Sequence, residues 1–313
     1  MDFELSSEQT LLKDSVDRFV QDNYDLTARR VLVASDLGYS KDHWALFAEM
    51  GWLGLPFSEE SGGYGGSNVD VSVMMESFGE GLVVEPYMAT VLLAGRLIDV
   101  ASASGKGYVI NGHKALVYHA ASADKIIVTA RTSGDQRDKD GISLFVIDAN
   151  TKGLSLKPYR TLDGQRASEV VLEGVEVGPD ALLGKEGEAF DVVDKIIDLA
   201  ITAASAEAVG AMRKVNEITI DYVKTRQQFG APIGSNQVIK HRLADMLIEE
   251  EQSKAMADMA AMRADIGGDD RVQTASATKA RIGEAAKFVG EQGIQLHGGI
   301  GMTDEYPIGH YYK

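Results

Sequence analysis

Apolar positions in the first hundred residues recur at helical spacing. Leu11, Leu12, Val16, Phe19 and Val20 form one stripe, and Ser6 followed by Gln9 has the pattern of a capping box at its start. Ser40 is placed to cap a second helix carrying Trp44, Leu46 and Phe47, which stops at Gly51. The run Ser61-Gly62-Gly63-Tyr64-Gly65-Gly66-Ser67 reads as a flexible turn, and a further helix is expected from about Asp70 into the eighties, ahead of Pro86. The period then changes. Tyr108–Val117 predicts two strands folded back at Asn111-Gly112, and Lys125–Ala130, Ile142–Ile147, Leu154–Tyr159 and Val170–Val177 are further β-rich runs around an exposed charged loop, Arg131–Asp140. From Phe190 the helical spacing returns through Val193, Ile197, Ala200, Ala204, Ala208, Ala211, Val215 and Ile218, and its alanines permit close helix packing. Two more helices are predicted over about Ser235–Met262 and Thr274–Val289. The expected architecture is α+β: an N-terminal helical domain over 1–100, a small β-barrel or sandwich over 101–186, and a C-terminal helical bundle over 187–313.

Charge and composition narrow the chemistry. Over 313 residues, 31 Lys and Arg face 47 Asp and Glu, and the net charge of −16 argues against nucleic-acid backbones and anionic membrane surfaces as partners. No cysteine is present, so disulfides, zinc–thiolate sites and thiol nucleophiles are excluded. His43, His113, His119, His241, His297 and His310 lack metal-ligand spacing and read as packing or surface residues. The acidic start Met1-Asp2-Phe3-Glu4 is unlike a signal peptide. The apolar run Met88–Leu97 is shorter than the roughly 18–20 residues that span a bilayer. A cytoplasmic protein is the expectation. Dinucleotide and mononucleotide glycine loops, His-Glu-x-x-His and EF-hand loops are all missing.

Two segments carry information. Arg226-Gln227-Gln228-Phe229-Gly230-Ala231-Pro232-Ile233 closes the long helix, with Gln237 and Leu243-Ala244-Asp245-Met246 behind it. An arginine fork there can hold a phosphate and a phenyl ring can lie against a planar heterocycle. The second, Gln295-Leu296-His297-Gly298-Gly299-Ile300-Gly301-Met302 with Glu305-Tyr306-Pro307, is a helix end whose glycines let backbone amides approach a phosphate. Taken residue by residue, both are equally readable as ordinary glycine-capped helix ends.

Together these motifs resemble the acyl-CoA dehydrogenase family. Gly54-Leu55-Pro56 with Gly62-Gly63-Tyr64-Gly65-Gly66, Gly107–Lys114 and Gly164-Gln165-Arg166 match in order along essentially the whole chain. Gly79-Glu80-Gly81-Leu82-Val83-Val84-Glu85-Pro86-Tyr87 is most similar to the small subunits of pimeloyl-CoA-type and steroid side-chain-type enzymes. The resemblance implies an FAD-dependent oxidoreductase of fatty-acid or steroid catabolism that converts a CoA thioester to its trans-2-enoyl form and reduces an electron-transfer flavoprotein. It places Arg226 and Gln228 at the pyrophosphate of a neighbouring subunit's FAD, Phe229 near its adenine, and Gln295 and Gly299 along the same half.

The departures fall on the other half. The family's segment touching flavin and substrate is missing between Val100 and Gly107, and Leu116-Val117-Tyr118 stands where Trp-Ile-Thr commonly faces the flavin ring. One family position for the catalytic carboxylate lies beyond Lys313, so the C-terminal domain is expected to be truncated; the other lands on Ala200. Asp198 is two residues away, about 200° around a helix, and is expected to be a solvated or CoA-facing carboxylate. No catalytic residue is assigned, and no metal ligand. The expectation is therefore a subunit of a heterotetramer with a paralogous partner, or of a homotetramer. The alternative is a structural or regulatory paralogue without chemistry, and an oxygen-reacting oxidase is a third reading.

Overall fold

A computed structural model describes residues 4–99 and 107–313. The residues between Val100 and Gly107, where a family segment is expected to be missing, lie outside the described residues, as do Met1, Asp2 and Phe3. Along the chain come α1 (Ser7–Asn23), α2 (Leu26–Ala34), α3 (Lys41–Glu49) and α4 (Asn68–Gly81), then a π-helical stretch, Met88–Gly95, and α5 (Arg96–Asp99). Strands β1 (Tyr108–Tyr118), β2 (Lys125–Arg131), β3 (Ile142–Asp148), β4 (Leu154–Arg160), β5 (Arg166–Val177) and β6 (Leu182–Leu183) follow. The chain continues through α6 (Phe190–Thr225), β7 (Gln227–Gln228), β8 (Ala231–Pro232), α7 (Gln237–Ile266), α8 (Asp269–His297) and α9 (Ile308–Tyr312). Among the described residues no helix is long and apolar enough to cross a membrane.

Two compact units emerge. One comprises 1–31, 66–83 and 198–313, the other 32–65 and 84–197. In the first, helix starts are written in the sequence. The Ser6 hydroxyl accepts from the Gln9 amide at 3.1 Å while the Gln9 side chain accepts from the Ser6 amide at 3.0 Å. A second capping box, Ser67 with Asp70, starts α4 two residues earlier than the apolar pattern indicates. Leu82, left-handed at φ 49°, ends that helix at Gly81, so it does not run on through the eighties to Pro86. The core gathers Val209, Met212 and Val215 of α6, Met246 and Ala257 of α7, Ile282 and Val289 of α8, and Ile308.

Helix α6 crosses α4 backbone to backbone. A Cβ on Gly79 would lie 1.9 Å from the Glu207 carbonyl oxygen, and one on Gly210 would lie 1.9 Å from that of Glu76. Arg213, one turn further on, ties the crossing electrostatically. Its Nη1 reaches Glu76 and, at 2.9 Å, Glu80, while its Nε lies 3.3 Å from Glu250 of α7. Burial works against the charge on Arg213, but Glu76 and Glu80 outweigh it and hold the guanidinium firmly protonated. Asn216 Nδ2 donates to the second Glu250 oxygen at 2.7 Å, and Lys254 lies 3.4 Å from Glu76. The buried carboxylates are thus met by matched donors.

In the second unit two three-stranded sheets, ordered β1-β5-β4 and β2-β3-β6, enclose Ile110, Ile126, Val128, Phe145, Ile147, Val170, Leu172 and Val175. The strands form a sandwich, not a closed barrel. The Asn111-Gly112 hairpin expectation fails. Neither residue has positive φ, β1 runs through as one strand, and the register shifts between Ile110 and Gly112. Asn111 Oδ1 accepts from the Gly174 amide at 2.7 Å, so the dipeptide makes a bulge against β5. The glycine-rich loop is not a free turn either. Gly63 would drive a Cβ to 2.4 Å from the Phe57 oxygen, and its neighbours Tyr64 and Gly65 donate to Gly54 O and Phe57 O at 3.1 and 2.7 Å. Arg166 explains its own motif, donating to the carbonyls of Val33 at 3.0 Å and of Ser35.

The helix crossing is testable by contrast. Gly210→Ala is expected to lose about 3 kcal/mol in urea unfolding through backbone overlap. Gly283→Ala, on α8 with open space where its Cβ would stand, is expected to gain about 0.5–1 kcal/mol.

Candidate functional site

The first motif begins where α6 ends. Arg226 N donates to Tyr222 O at 2.8 Å, the last helical bond, and Ile233 N donates back to Arg226 O at 2.9 Å. Between them β7 and β8 pair Gln227 with Pro232 and Gln228 with Ala231. Phe229 and Gly230 form the tip, at φ 54° and 83°, the positive angles of a type I′ turn. A bulky residue pays steric strain there, and Asn is the residue that such a turn prefers. Phe229 nonetheless holds it, with its ring fully exposed. Arg226 and Gln228 are exposed as well, and the Gln228 amide donates to Gln227 O at 2.9 Å. The hairpin projects a cation, an amide and a phenyl ring outward from a rigid two-residue ladder.

The second motif closes α8. Gln295 is exposed on the last turn, and Gly298, at φ 64°, takes the chain out of the helix. Gly298 and Gly299 are exposed with nothing within 4 Å of where a Cβ would stand, whereas Gly301 is buried against the Ile294 carbonyl. The open glycines leave a cradle in which backbone can approach a phosphate closely.

The structure joins the two motifs through three residues that carry no role in the sequence reading. The ring of Tyr222, one turn before Arg226, lies 4.3 Å from that of His297, and Tyr306 stands 5.0 Å away on another side. Tyr222 donates its hydroxyl to His297 O at 3.3 Å. His297 is 3% exposed, and its Nδ1 donates to Gly293 O at 2.7 Å. Burial pushes its imidazole below the usual histidine range, against the opposing pull of that carbonyl. Burial likewise raises the Tyr306 phenol, with Tyr222 and Asp221 adding to it. His297 reads as a packing histidine in the sequence, and that reading holds. The helical spacing from Tyr222 to Arg226 was the available signal for the rest.

Catalytic groups are differently placed. Ala200 is buried at 8% exposure and has no proton-accepting atom. Asp198 is not a solvated carboxylate: it is buried and sits 3.4 Å from Arg271 Nη2 of α8, where the burial needs an opposite charge. In the other unit Leu116 and His119 both have positive φ, 55° and 56°, on either side of Val117-Tyr118. Leu116 and Tyr118 are exposed, while His119 is buried with its ring edge-on to Tyr39. Among the described residues no cluster of side chains could hold a metal ion.

Comparison with known proteins gives a consistent set of matches. Family models for the acyl-CoA dehydrogenase N-terminal, middle and C-terminal domains match residues 6–106, 96–175 and 190–313. Acyl-CoA dehydrogenase IpdE2 of Mycolicibacterium smegmatis is 29% identical over 99% of this chain and 92% of its own. Among solved structures, PigA with FAD and proline superposes with a TM-score of 0.90 at 26% identity, over 100% of this chain and 93% of its own. A steroid enzyme of the family, Tcur3481-Tcur3483, gives 0.84 at 26% identity over 97% of this chain and 91% of its own.

The hairpin tip separates folding from other demands. Phe229→Asn is expected to raise the stability of the chain by up to about 1 kcal/mol in urea unfolding, because the turn then holds a residue suited to positive φ.

Proposed function

The chain belongs to the acyl-CoA dehydrogenase family, oxidoreductases acting on the CH–CH bond of acyl-CoA, and from that premise we propose that it serves as one subunit of a heteromeric FAD-dependent enzyme. In this reading it contributes the adenine and pyrophosphate half of a shared site, and a paralogous subunit contributes the flavin-ring contacts and the catalytic carboxylate. Held by Arg226, Gln228, Phe229, Gln295 and Gly299, FAD would supply the hydride-accepting chemistry for the substrate β-carbon, with an electron-transfer flavoprotein as the expected electron acceptor.

The observation that carries the proposal is an asymmetry. Arg226, Gln228 and Phe229 are presented outward on an ordered hairpin, and Gln295 and Gly299 line an open helix end. The fit to the dinucleotide is good at this end. In this reading the guanidinium neutralises a pyrophosphate, the phenyl ring covers an adenine face, and the glycine amides donate to phosphate oxygens. At the family position for proton removal that falls within the chain stands Ala200, and the neighbouring carboxylate of Asp198 is already committed to Arg271. A positioned base contributes about 10²–10⁴-fold, so a site without one binds cofactor and turns over poorly. The solved relative named for two polypeptides, Tcur3481-Tcur3483, supports a paired assembly.

Expression of the chain alone and together with its paralogue tests this. Full flavin occupancy and acyl-CoA oxidation are expected only for the pair. Complete activity of the isolated homo-oligomer overturns the division of labour, and a colourless pair points to the paralogue without chemistry. In the active pair, Arg226→Leu is expected to weaken FAD binding by about tenfold or more, the size of one lost charge-assisted contact, measured by flavin fluorescence.

A further inference from the structure

His297 has no assigned part in the cofactor site, yet it lies within one of its segments and touches the helical turn that leads into the other. It is the last residue of α8, two positions after Gln295 and two before Gly299. Its ring packs on Tyr222, whose carbonyl closes the helical turn that ends at Arg226, and on Tyr306 of the Glu-Tyr-Pro segment. Its own carbonyl accepts from the Tyr222 hydroxyl. The side chain on the opposite edge is fixed too, because a carbonyl can only accept: Nδ1 must carry the hydrogen that goes to Gly293 O. Nε2 then holds a lone pair, buried and without a hydrogen-bond partner.

We propose that His297 is a positioning residue: its neutral ring, packed against both Tyr222 and Tyr306 in a cluster of three rings, keeps the Gln295–Gly299 helix end in register with the Arg226 hairpin, and a proton on Nε2 loosens both together. The assignment to cofactor binding rests on the dinucleotide reading above. The ring's surroundings make the neutral form the one that fits. A proton on Nε2 creates an N–H with no acceptor in a buried site. The groups facing it are the phenols of Tyr222 from α6 and Tyr306 from the loop before α9, with Asp221 acting on Tyr306. Among the described residues the histidines that form ion pairs are His43, His113 and His310, so His297 has no carboxylate partner to welcome the charge. Burial outweighs the hydrogen bond to Gly293 and lowers the imidazole below the usual histidine value, which favours the neutral ring. Because the folded state releases this proton more readily than the unfolded chain, the contribution to stability is whole above the ordinary histidine value near 6.5. It is lost as pH falls below that.

Amide hydrogen exchange and FAD titration of the paired enzyme, each at about pH 7.5 and 5.5, test this. After correction for intrinsic exchange, protection over 226–233 and over 295–301 is expected to fall together by about tenfold at the lower pH, with FAD dissociation rising by a similar factor. His297→Phe keeps a ring against both tyrosines, and His297→Gln keeps a donor for Gly293; both are expected to flatten the pH response. An unchanged pH response in these variants, or none in the wild type, overturns the proposal. If the exchange profiles behave as stated but FAD binds to no form at either pH, the positioning device stands and the cofactor reading falls.

Discussion

The backbone crossing of α4 and α6 is the constraint on which the helical unit depends. Gly79 and Gly210 bring two main chains closer than any side chain permits, and Arg213 then anchors three carboxylates from two other helices at the same place. Ala204, Ala208 and Ala211 of α6 line a cavity beside the crossing, so the close approach rests on the two glycines. The helix is 36 residues long, about 54 Å at 1.5 Å per residue, so a register fixed near its middle also fixes where its last turn releases the chain. The hairpin with Arg226 at its base inherits that precision. The ion network is costly to half-dismantle, since removing Arg213 strands Glu76 and Glu250 in the interior, and this makes the crossing specific as well as tight.

A different logic governs the candidate site. Its residues satisfy no local need: Phe229 occupies an angle that suits asparagine, Arg226 and Gln295 face outward, and two glycines leave a space that nothing in the chain fills. Features that cost the isolated chain something, placed together, mark a surface that is completed by something else. The buried side shows the opposite economy. Asp198 and Arg271 neutralise each other, and Tyr222, His297 and Tyr306 fill their corner with three rings.

Much of this was legible in the residues. Capping at Ser6 and Ser40, the strand runs and the long alanine-rich helix follow from spacing and side-chain chemistry alone. The errors have physical causes. Asn111-Gly112 has the composition of a tight turn, but β5 supplies a partner for Asn111 and converts the dipeptide to a bulge. The loop at 62–66 reads as loose, yet Gly63 has no room for a side chain against Phe57, on whose carbonyl the Gly65 amide closes the loop. Short α2 buries only its Arg29, whose Nε donates to Leu82 O at 3.0 Å, a partner 53 residues away. At the site, residue types pointed to Arg226 and Gln295, whereas the ring contact that joins them spans 75 residues and could not be seen in one dimension.

The type I′ turn at Phe229 also bears on how fast the subunit finds what it binds. Its two-residue ladder settles the aromatic tip during folding, so the conformational freedom of that segment is lost before any encounter. Association then needs only diffusion and orientation, without a slow ordering step at the contact. The same preformed tip keeps the phenyl ring exposed, so its apolar face is available to an encounter without any rearrangement.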